Sequence, residues 1–244
     1  MCNSAWRTNY CGVLAQHNVR KRGIQLKRCV AIVCLVLSVV MLMAGAAMAG
    51  PTGSFTALPI AKPLSIDGSF VDWNLTDYST PTLILDPSVS FVRGPQIQAK
   101  DHSAKVYLGY DDAYLYVAAD VADINIQGSG IGSGIWNNTG IELWLNGGNI
   151  NIPSAVAGAE SYETTDFQID LAVMSGGKET PTAWCFSHGI GDSGDVKLAT
   201  VRTATGYRLE AAIPKAKFAG LSALKKDGEY AVAISSVSYA GGVW

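Results

Sequence analysis

Residues 104–121, AKVYLGYDDAYLYVAADV, decide the fold. Apolar and polar positions alternate on either side of Asp111-Asp112-Ala113, and β-branched and aromatic residues dominate both halves. A period of two interrupted by so short a connection reads as a β-hairpin over 104–110 and 114–121. The same signal recurs outward in both directions. Residues 141–146, 166–173, 182–186, 196–203, 207–213 and 230–237 read as further strands, and Thr205-Gly206 joins 196–203 to 207–213 as a second hairpin. No long 3.6-residue pattern occurs after residue 50, and only one short helical turn is expected, in 215–224 after Pro214. Eight or more short strands punctuated by glycine predict an all-β, jelly-roll-like antiparallel sandwich.

Alternation also assigns faces, because successive side chains in a strand point to opposite sides. In 141–146 the core set is Ile141, Leu143 and Leu145, which leaves Glu142, Trp144 and Asn146 on the outward face. In 167–171 Phe167, Ile169 and Leu171 turn inward, and Gln168 and Asp170 turn outward. In 207–213 Tyr207, Leu209, Ala211 and Ile213 turn inward, and Arg208 and Glu210 turn outward. Several strands are thus expected to show a polar face to solvent, which is either a ligand surface or an ordinary solvated sheet.

Composition narrows the classes. The chain of 244 residues is 48% hydrophobic and only 16% charged, with a net charge of −2. A norm of roughly 25% charged residues makes nucleic acid an unexpected partner. The small net charge averages two unlike parts. Residues 1–49 hold six of the 18 basic residues and none of the 20 acidic ones, so the remainder carries −8. The basic run Lys21, Arg22, Lys27, Arg28 precedes the apolar run CVAIVCLVLSVVMLMAGA over 29–46, and Ala47-Met48-Ala49 follows. That order is the signature of a secretory signal peptide cleaved near Ala49-Gly50. The alternative is an uncleaved membrane anchor, since 18 apolar residues suffice for a candidate span. The organisation expected is a leader over 1–49, a linker over 50–63 and one sandwich over 64–244, in a protein that is secreted, periplasmic or displayed at the cell surface. Four of the five cysteines, Cys2, Cys11, Cys29 and Cys34, lie in the leader, so Cys185 has no disulfide partner after cleavage and a cysteine-based zinc site is excluded.

Catalytic motifs are sparse. There is no nucleophile elbow, zinc-protease helix or phosphate loop, and only His102 and His188 lie beyond the leader. Glu142 and Glu210 are the carboxylates a glycosidase would need as a pair, if the fold set them close together. Residues 128–134, GSGIGSG, lead to Trp136 rather than to a helix and read as a flexible loop, not a phosphate cradle. The aromatic residues are more telling. Trp136 precedes a strand, Trp184 sits near a strand end, and Trp244 closes the chain. An indole covers the C–H face of a sugar ring, while Glu, Gln and Asn bond its hydroxyl rim.

Four ordered segments resemble carbohydrate-binding module family 9, a group within the DOMON-like β-sandwiches. They are Ile66-Asp67-Gly68 with Asp72-Trp73; Asp111-Asp112 with Leu115-Tyr116-Val117 and Asp123; Trp136 six residues before Glu142; and Gly206-Tyr207 with Glu210 and Ala212-Ile213-Pro214. The resemblance spans residues 64–244. It implies a non-catalytic sandwich that binds a polysaccharide or oligosaccharide in support of glycan degradation. Trp136 and Glu142 fall on the family's sugar-contact positions, with Gln168 on the following polar strand and Trp244 as the second ring; Trp184 is a further candidate from the residues alone. The resemblance also implies calcium at loop carboxylates, for which Asp111, Asp112, Asp120 and Asp123 are the candidates. Two departures stand out. Thr139 replaces an expected aspartate, and Ser235-Ser236-Val237-Ser238 replaces an acidic turn, as in a chain truncated at its C-terminus. Two other readings remain: a haem sandwich ligated by Met174 and His188, and a structural or adhesion domain without ligand.

Overall fold

The computed structural model describes residues 55–73, 75, 83–86, 101–148, 150–153 and 162–238. The leader, its cleavage site and Trp244 lie outside these residues. The strands among the described residues are β1 Leu58–Pro59, β2 Leu83–Leu85, β3 His102–Tyr110, β4 Tyr114–Asp123, β5 Gly140–Asn146, β6 Asp166–Ala172, β7 Thr182–Cys185, β8 Gly191–Asp192, β9 Lys197–Arg202, β10 Gly206–Pro214 and β11 Ala231–Val237. They form two sheets. One runs β1–β3–β4–β10–β9 with β2 also paired to β3, and the other runs β11–β5–β6–β7–β8. Every pairing among these strands is antiparallel except β1 with β3. The chain changes sheet between β4 and β5, between β8 and β9, and between β10 and β11. This is an all-β sandwich. The helical turn expected after Pro214 is present as a 3₁₀ turn, Lys215–Lys217, and α1, Ala219–Ser222.

The inward sets read from alternation close the core. Ile141, Leu143 and Leu145 meet Phe167, Ile169 and Leu171 from one sheet, and Val117, Leu209, Ala211 and Ile213 face them from the other. Each large aliphatic or aromatic side chain so buried contributes about 1.5–3 kcal/mol.

The outer face of the first sheet is solvated only in part: Lys105, Lys197 and Arg208 are exposed, but Glu210 is covered, which corrects the expectation for Glu210. Residues 55–73 lie across it, and Leu58 and Trp73 pack on Tyr116, Ala118 and Ala212. Glu210 is 0% exposed. Its carboxylate accepts the Trp73 indole N–H at 2.6 Å and the amides of Asp67 and Gly68 at 3.0 Å each. Gly68 has φ of 81°, and a Cβ there would stand 2.5 Å from Val201 Cγ2. The Ile66-Asp67-Gly68 and Trp73 motif is therefore a latch closed on Glu210. The stretch expected as a linker also contributes β1, whose Leu58 pairs with Gly109. Covering β4 and β10 on both faces needs an apolar strap, and 55–73 is that strap.

Candidate functional site

The second sheet carries the other polar face. Cross-strand register sets Ser235, Glu142, Asp170, Trp184 and Asp192 in one row across β11, β5, β6, β7 and β8. The next row holds Trp144 opposite Gln168, and the one beyond it Asn146 opposite Asp166. Alternation placed Glu142, Trp144, Gln168 and Asp170 on this face correctly. It did not reveal that Glu142 and Asp170 are covered, with 2% and 4% exposure.

Glu142 is held by its neighbours, whereas Asp170 Oδ1 has no hydrogen-bond partner. Gln168 Nε2 donates to Glu142 Oε1 at 2.6 Å, and the Tyr162 hydroxyl donates to Gln168 Oε1. Ser235 Oγ approaches Glu142 Oε2 at 3.5 Å. Asp170 stands directly opposite Glu142 across the β5–β6 pair, one buried carboxyl group beside another. Burial pushes Glu142 up to about 7, against the opposing hydrogen bonds from Gln168 and Ser235. Burial pushes Asp170 well above the carboxylate range, helped by the Glu142 charge. Burial raises the Tyr162 hydroxyl to about 12, with Glu142 the next cause.

An acid whose folded pKa exceeds its unfolded value binds its proton more tightly when folded. For Glu142 that stability is complete below about 4.5 and is lost as pH rises through about 7. The loss is about 3 kcal/mol. Urea unfolding at pH 5 and pH 8 measures it directly: the free energy is expected to be lower at pH 8, and a flat profile would contradict a protonated pair.

Trp136 enters from the 3₁₀ turn Gly132–Asn137, just before β5. It is 45% exposed, whereas its neighbour Ile135 is buried. Ile135 and Asn138 line the narrow cleft in which Glu142 and Asp170 also lie, together with Ala172 and Val237. The turn is pinned rather than flexible, which corrects the reading of the glycine run. Asn138 Oδ1 accepts Gly130 N, and Asn138 Nδ2 donates to the carbonyls of Gly130 and Met174. A Cβ on Gly128 would meet Asn138, and one on Gly130 would meet the Gly134 carbonyl, so these glycines permit close approach. Thr139, the departure from the expected aspartate, is 0% exposed. Its hydroxyl accepts Gln127 N at 3.0 Å and faces Asn125 O at 3.4 Å. The substitution therefore falls on a position that ties down the loop. Trp184 is half-buried, and Cβ atoms on Gly132 and Gly191 would stand 3.6 and 3.3 Å from its ring. It lies beneath the turn that carries Trp136.

Other candidates disperse. Glu142 and Glu210 lie on the outer faces of opposite sheets with the core between them, so they are not a catalytic pair. The four aspartates have separate duties. Asp111 caps the β3–β4 turn and accepts the Tyr116 hydroxyl. Asp120 pairs with Arg208, and Asp123 faces His102 and bonds Ser238. Asp112 lies in the turn beside Asp111, at the end of the hairpin away from Asp123. Among the described residues no three His, Cys, Asp or Glu side chains gather as a metal site. Met174 and His188 sit at opposite ends of β6. His188 Nε2 bonds the Asp166 carbonyl, and Met174 lies beyond Ala172 against Arg202. A separation of roughly 20 Å rules out their sharing one haem iron. Tyr162, Asp170 and Asn138 were missed as members of the site. Asp170's outward direction was readable, but its register opposite Glu142 was not.

Residues 77–234 match the family described as carbohydrate family 9 binding domain-like. The chain belongs to this family. It is a family of binding modules, in accord with the resemblance of the ordered motifs. Two solved family 9 modules from Caldicellulosiruptor kristjanssonii are similar in structure. One, in complex with cellotriose, is 18% identical with a TM-score of 0.46, over 77% of this chain and 80% of that one. The other, in complex with glucose, is 22% identical with a TM-score of 0.43, over 67% and 70%. No curated protein matches the chain.

Proposed function

We propose that this family 9 module captures a neutral saccharide on the outer face of the β11–β8 sheet, with Trp136 as its stacking platform. The observation that carries this reading is an exposed indole on a pinned turn whose flanking residues border the Glu142–Asp170 cleft. Gln168 is the hydroxyl reader. With one N–H given to Glu142 and one lone pair taken by Tyr162, it keeps a second N–H and a second lone pair, the complement of a vicinal diol. Glu142 acts from behind by orienting Gln168, and Trp184 supports the turn. Trp244 remains a candidate second ring, outside the described residues. In this reading the protein is exported through its N-terminal leader and serves glycan breakdown by holding substrate, with hydrolysis left to an associated catalytic domain.

The outward positions of these strands carry Glu142, Asp166, Asp170 and Asp192 and no Lys or Arg. A uronate would meet no Lys or Arg on these strands to offset the loss of its hydration. On a glycan array, the full chain is expected to bind neutral xylan- or cellulose-derived oligosaccharides and to leave uronate oligomers unbound. An array without any hit would overturn the saccharide reading and favour a ligand-free sandwich.

A further inference from the structure

Gln168 lies on β6 with an aromatic residue on either side. Trp144 is its partner across β5, and Phe186, directly after β7, donates its amide N–H to the Gln168 carbonyl at 3.0 Å. Trp144 and Phe186 are both half-buried. Beyond Gln168, away from the Trp136 turn, stands a further aromatic pair. The Tyr162 hydroxyl donates to Gln168 Oε1, and the Tyr162 ring lies 6.1 Å from the His188 imidazole, tilted at 54°. His188 is exposed, and its backbone is left-handed, with φ of 57°. Its Nε2 stands 2.8 Å from the Asp166 carbonyl. A carbonyl only accepts, so Nε2 carries the hydrogen, and Nδ1 of the neutral ring is left as an acceptor. A left-handed residue other than glycine persists where its surroundings over-determine it, and such residues gather at ligand clamps. Here the Asp166 carbonyl and the Tyr162 ring hold it.

We propose that His188, propped by Tyr162, forms a second saccharide subsite at the end of the face away from Trp136, so that the module holds an oligosaccharide laid along β6 rather than one terminal sugar. The inference rests on the saccharide reading of this face and adds chain length to it. Register sets the span. The turn that carries Trp136 lies over Trp184, which pairs with Asp170, and His188 is bonded to Asp166, four residues along the same strand. Four residues of strand are about 13 Å, more than one sugar ring covers and within reach of a trisaccharide. Between the two ends Gln168 reads hydroxyls, and Trp144 and Phe186 offer apolar ground for the C–H faces. At the far end the imidazole faces the last ring, and Nδ1 accepts one of its hydroxyls.

The test is calorimetry on the full chain with glucose and cellotriose, and with xylose and xylotriose. The native chain is expected to bind a trisaccharide at least about tenfold more tightly than its monosaccharide, the worth of one further aromatic contact. His188→Gly removes the ring but keeps a backbone that glycine adopts freely, so its Tm should hold. Its trisaccharide affinity is expected to fall about tenfold, with monosaccharide binding unchanged. Trp136→Ala, in contrast, should weaken ligands of both lengths. A trisaccharide bound no more tightly than the monosaccharide by the native chain overturns the second subsite and leaves the Trp136 platform standing. So does a trisaccharide affinity that His188→Gly leaves intact, and an equal fall for both lengths in that variant would make His188 a structural residue of its turn. If the native chain binds none of the four sugars, the saccharide reading fails, and the subsite with it.

Discussion

Trp136→Ala is expected to lower saccharide affinity at least thirtyfold, about 2 kcal/mol, and to leave Tm within about 2 °C. The asymmetry follows from how the turn is held. Its fixing bonds come from Asn138 and Thr139, and its apolar anchor is Ile135; the indole is not among the groups that hold it. Removing a 45% exposed ring costs little packing, and surface changes away from such anchors stay within about 0.5 kcal/mol. Stacking on a sugar face is another matter, because nothing else exposed on that turn offers a flat apolar surface. Quenching of intrinsic fluorescence by oligosaccharide reports the first effect and calorimetric melting the second. Undiminished binding would transfer the platform to Trp144 or Trp184. A large fall in Tm with binding intact would make Trp136 a lid on the sandwich edge.

Glu210→Ala acts on the opposite face and is expected to cost about 4 kcal/mol, or a fall in Tm of roughly 10 °C. Truncation removes three hydrogen bonds to one carboxylate and leaves the Trp73 indole and two backbone amides buried without an acceptor. It also frees the strap that covers Tyr116, Ala118 and Ala212. Below the melting transition saccharide affinity should be unchanged, since the binding face we propose belongs to the other sheet. A loss under about 1 kcal/mol would show that water replaces the carboxylate and that the strap is held by its apolar contacts alone.

Periodicity carried most of the architecture. The alternation in 141–146, 166–173 and 207–213 assigned the inward side chains correctly, in that Leu143, Ile169 and Leu209 all reach the core. That information is local and survives in any register. What failed was non-local. Two- and three-residue strands such as β1, β2 and β8 exist because a neighbour offers an edge, not because their own sequence insists on it. Glu210 looked solvated because its cover comes from residues more than 130 positions earlier. The site shows the same division. Trp136, Glu142 and Gln168 were legible as chemistry at the right spacing, whereas Asp170 became a member only when register set it opposite Glu142. The glycine run read as flexible because nothing in GSGIGSG names its clamp, Asn138, which lies outside the run.

The strap over the first sheet has a consequence in time. It leaves the ribosome before β2 and every later strand of the sandwich, yet the carboxylate that receives it is 143 residues from Asp67. Contacts of such sequence separation carry the largest closure entropy and form after local hairpins. The latch of Asp67, Gly68 and Trp73 therefore waits for β10, whereas β1 in the same strap meets its partner Gly109 of β3 much earlier in synthesis. Interactions made that late act on the rate of unfolding rather than folding, and the Glu210 latch governs how long the finished sandwich lasts more than how quickly it forms.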